Sequence, residues 1–152
     1  GSKSDYPVVE RAEKVLTDFG VEFETRIISA HRTPVAAMEF ASKAEENGIE
    51  VIIAAAGKAA HLGGVLAAFT PMPVIGLPVK SSTLTGLDSL LSIVQMPKGV
   101  PVATVAIDGA ENAGILAVQM LSLKYPELRQ AMKDYKAKME REVMAIDAEF
   151  QK

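Results

Sequence analysis

The chain has 152 residues, 49% of them hydrophobic and 23% charged, with a formal net charge of -3. That length and apolar content suit a single domain over residues 1–152 with a core of its own, and the acidic balance leaves no basic footprint for wrapping nucleic acid. Cysteine is absent, which excludes disulfides, thiolate nucleophiles and Cys-based zinc or iron–sulfur centres.

The polar opening Gly1-Ser2-Lys3-Ser4-Asp5 has no charged and apolar leader pattern, and no apolar run reaches bilayer length, so the expectation is a cytoplasmic protein without membrane association. Asp5 and Pro7 start a helix with Val8, Ala12, Val15 and Phe19 on its apolar face, and Gly20 stops it. In a β-α alternation that helix follows a strand, so either the first strand lies outside these residues or the sheet lacks one member. β-Branched and apolar runs predict strands at Val21–Ile28, Ile49–Ala56, Pro73–Leu77 and Pro101–Ile107. Between the first two, Thr33 caps a helix with Pro34 in its first turn, Val35, Met38, Ala41 and Ala44 on one face, and Gly48 as its stop. A further helix runs around Ala113–Leu123. Residues 126–152 then form one long amphipathic helix with a stripe of Leu128, Met132, Tyr135, Met139, Val143 and Ile146. Short connections require parallel strands with crossover helices, hence a three-layer α/β fold. The tail helix either covers its own sheet or packs on a neighbouring subunit; its pattern favours self-association.

Each strand-like run leads into a polar or small-residue loop, and in an open parallel sheet such loops line the ligand crevice. Gly1–Asp5 precedes a helix N-terminus, where free N–H groups favour an anion such as phosphate; an ordinary cap by Ser4 or Asp5 is the alternative. In Ser29-Ala30-His31-Arg32, Arg32 offers a planar fork for phosphate or carboxylate, and His31 can exchange a proton near neutral pH. The loop Gly57-Lys58-Ala59-Ala60-His61-Leu62-Gly63-Gly64 can lie close to a ligand because its side chains are small. There His61 either transfers a proton or holds the loop's shape, and Lys58 either adds a positive field or points into solvent. Lys80–Ser89 and Asp108–Gly114 complete the rim. Walker A, Gly-x-Gly-x-x-Gly, His-Glu-x-x-His and Gly-x-Ser-x-Gly patterns are all missing, and two histidines are too few for a typical catalytic zinc. The residues alone therefore point to a small α/β enzyme or binding module for a phosphorylated anion, without metal or cofactor, with His31 as the acid–base candidate.

Four segments together resemble the N5-carboxyaminoimidazole ribonucleotide mutase family, PurE: Gly-Ser-Lys-Ser-Asp at 1–5, Ser-Ala-His-Arg-Thr-Pro at 29–34, Ala-Ala-His-Leu at 59–62, and Gly-Leu-Asp-Ser-Leu-Leu-Ser-Ile-Val-Gln-Met-Pro at 86–97. The resemblance covers nearly the whole chain. It implies a flavodoxin-like domain in a homo-octamer with active sites at subunit contacts, moving a carboxylate from the exocyclic nitrogen of a ribonucleotide to ring carbon C4. It further implies that Ser2, Asp5, Ser29 and Arg32 bind the ribose phosphate and that His31 is the general acid–base. The loop containing Gly57, Lys58, Ala59, His61 and Leu62 would cover the imidazole. Where the family has a more glycine-rich loop this chain has Lys58, and Asp108–Gly114 is shorter than in many relatives. The competing readings are a carboxylase that takes free carbon dioxide and a non-catalytic ribonucleotide-binding scaffold.

Overall fold

The computed structural model describes residues 1–151; Lys152, the last residue of the expected tail helix, lies outside them. Three parallel strands, β1 (Ile52–Gly57), β2 (Val74–Val79) and β3 (Ala103–Thr104), form a sheet in the order β1-β2-β3. The register pairs Ile52 with Val74 through Gly57 with Val79, and Ile75 with Ala103. Six helices surround it: α1 (Tyr6–Asp18), α2 (Pro34–Ser42), α3 (Leu62–Phe69), α4 (Leu87–Val94), α5 (Ala110–Leu121) and α6 (Pro126–Phe150).

The strands' two-residue alternation divides the core between the two faces. Ile52, Ala54 and Ala56 of β1 pack with α2, α3 and Ile93 of α4, whereas Ala55 joins Ile75, Leu77 and Val79 of β2 against α1, α5 and Met132 of α6. Burial on both faces explains why β1 and β2 read as continuous apolar runs rather than alternating ones. Ile75 and Leu77 are fully buried, each side chain contributing about 1.5–3 kcal/mol by removal from water. Gly76 admits α4 closely, since a Cβ there would lie 2.3 Å from Ile93 Cγ2.

Three expectations need correction. Residues 21–28 are extended, but they do not form the expected strand. The edge of β1 next to them is separated from them by an open slot of about 1300 Å³, and an extended segment with no backbone partner is not a sheet member. The strand expected at Pro101–Ile107 shrinks to Ala103–Thr104, although Val105 N and Asp108 N still donate to Gly76 O and Pro78 O. The apolar face of α2 consists of Ala37 and Ala41, continued by Ala44 beyond its end, while Val35 and Met38 are exposed. Small alanines let this helix sit tightly on the sheet, so the larger side chains fall outside. The tail helix reaches Phe150 as expected, but only its first turns pack, with Leu128, Met132 and Tyr135 in the core and Val143, Ile146 and Phe150 exposed.

Candidate active site

The polar loops singled out in the sequence meet at the C-terminal ends of the strands. Residues 3–5 form a single 3₁₀ turn ahead of α1. The Asp5 carboxylate accepts from Ser2 N (2.9 Å) and faces the Gly1 ammonium at 3.3 Å, while that ammonium donates to Ala55 O of β1 at 2.7 Å. Asp5 therefore closes the turn onto its own first residue rather than capping α1, and the Ser2 and Ser4 hydroxyls touch beside it.

The loop after residues 21–28 is built by its own side chains. Thr33, expected as a cap, instead accepts from Ser29 N (2.9 Å) and donates to Ser29 O (3.1 Å), and Ser29 Oγ accepts from Arg32 N (3.2 Å). This small knot fixes the direction of Arg32, whose Nε reaches Ser29 Oγ at 3.3 Å and whose Nη2 donates to Gly1 O at 3.2 Å. One guanidinium thus ties the Ser29 loop to the Gly1–Asp5 turn. A guanidinium carries five N–H donors, so three remain for a ligand.

The two histidines of the chain are in direct contact, with His31 Nε2 2.9 Å from His61 Nδ1 and the ring centroids 5.0 Å apart. One of these nitrogens holds the hydrogen and the other accepts it, so the tautomer of each ring is coupled to the other. Nδ1 of His31 and Nε2 of His61 make no hydrogen bond among the described residues. His61 follows a turn in which Lys58 takes φ 55°, a conformation costing roughly 1–2 kcal/mol for a side chain with a Cβ. Lys58 and Ala59 are exposed, Ala60 and Leu62 sink into the core beneath the loop, and Gly57 ends β1.

Sequence reasoning missed a further regularity. Among the described residues, the three non-glycine residues with positive φ, Lys58, Thr85 and Asp108, lie one in each loop that follows β1, β2 and β3. Asp108 also crosses between loops, accepting from Lys80 N at 2.8 Å through Oδ1, and its carbonyl receives Arg11 Nη2 at 2.8 Å. Strained backbone gathers at functional sites because the surrounding structure must hold it there; the Asp-Gly pair at 108–109 was the available sequence signal. His31, Arg32 and His61 are all exposed on this rim, so the chain by itself supplies an open cleft rather than a closed cavity. Among the described residues no group of three or more His, Asp or Glu is placed to hold a metal ion, and no helix is long and apolar enough to cross a membrane.

A parallel sheet with helices on both faces, carrying an arginine, a serine-rich turn and a coupled histidine pair at its strand ends, defines a layered α/β protein. Comparison with known proteins places that arrangement. The profile described as AIR carboxylase matches residues 1–142, and the chain belongs to that family. It is 63% identical over 141 residues to an N5-carboxyaminoimidazole ribonucleotide mutase of Pyrococcus abyssi, covering 93% of this chain and 81% of that protein. It is 61% identical over 144 residues to the mutase of Thermotoga maritima, covering 95% and 84%. The crystal structure of Treponema denticola PurE superposes with a TM-score of 0.89 at 27% identity, over 100% of this chain and 95% of that one, in agreement with the flavodoxin-like expectation.

Proposed function

We propose that the chain is an isomerase of purine biosynthesis that converts N5-carboxyaminoimidazole ribonucleotide into 4-carboxy-5-aminoimidazole ribonucleotide. The observation that carries this reading is the His31–His61 contact above a cradle formed by Ser2, Asp5, Ser29 and Arg32. The cradle holds the ribose phosphate, with charge-assisted bonds from Arg32 and hydroxyl donors from Ser2 and Ser29. Gly57, Lys58 and Ala59 lie along the imidazole, with Leu62 supporting the loop from the core.

The reaction then needs one proton moved twice. As the bond between the exocyclic nitrogen and the carboxyl carbon breaks, His31 gives a proton to that nitrogen and carbon dioxide is released. Ring carbon C4 attacks the carbon dioxide, and His31 takes the C4 proton as aromaticity returns, so no proton is gained or lost overall. A positioned acid–base group of this kind is worth ~10²–10⁴-fold. His61 engages Nε2 of His31, which leaves Nδ1 as the nitrogen that works on the substrate. Keeping the carbon dioxide beside C4 replaces an encounter with an oriented collision, worth about 7–11 kcal/mol in the best intramolecular cases.

Because the rim is open in one chain, retention of carbon dioxide requires a cover. We assign that role to neighbouring subunits of a homo-octamer in the cytoplasm, assembled in part through the exposed apolar end of α6, where Phe150 is 83% exposed. Ionic, general acid–base chemistry suffices for each step, with no cofactor invoked. The test compares turnover of the carboxylated substrate with and without bicarbonate, and then of aminoimidazole ribonucleotide with excess bicarbonate. A mutase uses the first regardless of bicarbonate. Efficient turnover only of the second pair supports the carboxylase reading, and binding without turnover of either supports a scaffold.

A further inference from the structure

Lys58 stands where β1 gives way to α3, three residues before His61. Two consecutive turn bonds, Ala60 N to Lys58 O and His61 N to Ala59 O, both at 2.9 Å, fix this stretch, so Lys58 belongs to the same turn as the histidine that touches His31. The Lys58 backbone is left-handed at φ 55°, a conformation that glycine takes freely and a residue with a Cβ does not. The side chain held there is exposed, and among the described residues its ammonium joins no ion pair. A strained backbone therefore presents at the rim a cation that no carboxylate of the chain neutralises.

In the proposed reaction, on which this inference rests, the substrate carries two anions at opposite ends. The phosphate has Arg32, whose guanidinium is turned onto Ser29 Oγ and Gly1 O. The carboxylate that migrates sits on the imidazole, the part of the substrate assigned to the loop of Gly57, Lys58 and Ala59. Asp5 sharpens its need for a cation. A Cβ built on Gly57, the neighbour of Lys58, would lie 4.0 Å from Asp5 Oδ1, so a carboxylate of the protein already borders this loop and repels a second one.

We propose that Lys58 is a specificity residue whose ammonium receives the migrating carboxylate and thereby selects carboxylated ribonucleotides over uncarboxylated aminoimidazole ribonucleotide. The carboxylate starts on the exocyclic nitrogen and ends on the adjacent ring carbon, two positions that one ammonium on a flexible four-carbon stem serves in turn. The carbon dioxide between them is uncharged and gains little from a cation. Lys58 thus favours bound substrate and bound product over the state that separates them, which tightens binding without speeding bond cleavage. The uncarboxylated nucleotide gains nothing from it, and that difference in affinity is the selectivity.

The test compares the full chain with its Lys58→Gly, Lys58→Met and Lys58→Arg variants. Calorimetric titrations use two probes, 4-carboxy-5-aminoimidazole ribonucleotide and aminoimidazole ribonucleotide. In the two uncharged variants the carboxylated probe should bind about ten-fold more weakly, the lower end for a charge-assisted bond because the rim is open to water, while the uncarboxylated probe stays within about two-fold. With the carboxylated substrate kcat/KM should fall by the same factor through KM, without a fall in kcat, and Lys58→Arg should keep the native preference. Lys58→Gly also releases the left-handed strain and should melt no lower than the native chain, so its weaker binding is not a folding defect. Equal weakening of both probes in the uncharged variants, or a loss confined to kcat, overturns the proposal, as does loss of the preference in Lys58→Arg. Native turnover with an unchanged preference in the uncharged variants overturns the role of Lys58 alone. A native chain that binds neither probe and turns over neither substrate overturns the proposed function, and this inference with it.

Discussion

Arg32→Lys separates anion recognition from charge alone. In the structure the Arg32 guanidinium spends two of its five N–H donors inside the protein, on Ser29 Oγ at 3.3 Å and Gly1 O at 3.2 Å, and these two contacts aim the remaining three. A lysine ammonium keeps the positive charge, but as a point donor it cannot hold both anchors and still offer a planar fork. The substitution therefore removes about one oriented charge-assisted interaction, worth about 1.5–3 kcal/mol, which is roughly a 10- to 150-fold loss in kcat/KM. The loss should fall mainly on KM and should appear with the phosphorylated substrate. The corresponding nucleoside, which lacks the phosphate, should react slowly and at the same rate with the native enzyme and the variant. A similar proportional loss on nucleoside and nucleotide would refute the reasoning, because Arg32 would then be positioning the loop and not reading the phosphate.

Three further outcomes follow from individual contacts. His31→Asn should lower turnover by ~10²–10⁴-fold while the ribonucleotide still raises the melting temperature, as read by calorimetry with and without ligand; near-native turnover would remove His31 from its role. Gly76→Ala places a Cβ 2.3 Å from Ile93 Cγ2 and 2.9 Å from Val102 Cγ1. It should destabilise by about 1–3 kcal/mol in urea titrations. Hydrogen bonds from Lys124 and then Tyr125 lower the Glu50 pKa. A carboxylate depressed in this way stabilises the fold above its unfolded pKa and loses that contribution as pH falls through the folded value. Glu50→Gln should accordingly melt below the native chain at neutral pH, and the gap should start to narrow as melts are taken below about pH 4.5 and close only once the pH has passed below the lowered folded value.

The sequence reveals the layered fold where local pattern and tertiary environment agree. β1 and β2 are buried on both faces, so Ile52–Gly57 and Val74–Val79 carry the apolar runs expected of interior parallel strands. Residues 21–28 carry the same kind of run without becoming a strand, because strand formation depends on a hydrogen-bonding neighbour that composition does not encode. Phe23 and Ile27, read as strand residues, are consequently 46% and 58% exposed. The face of α2 was misread for a related reason: hydrophobicity ranks Val35 and Met38 above alanine, whereas close approach of helix to sheet selects Ala37 and Ala41.

At the candidate site, residue types and order told which loops would gather at the strand ends, since the crevice of a parallel sheet follows from topology. The pairing of His31 with His61 and the bridge from Arg32 to Gly1 depend on the angles at which separate loops approach each other. Those angles are set by contacts such as Thr33 with Ser29 and Asp108 with Lys80. The positive φ of Lys58 was equally hidden, because a lysine gives no local sign of a left-handed turn.

The central claim is that carbon dioxide released from the substrate nitrogen is recaptured at C4 without leaving the enzyme. Turning over substrate labelled with ¹³C in its carboxylate, in a large excess of unlabelled bicarbonate with carbonic anhydrase present, tests this directly. Product that keeps nearly all of the label is the predicted result. Product carrying the label at the level of the surrounding bicarbonate pool would contradict the account.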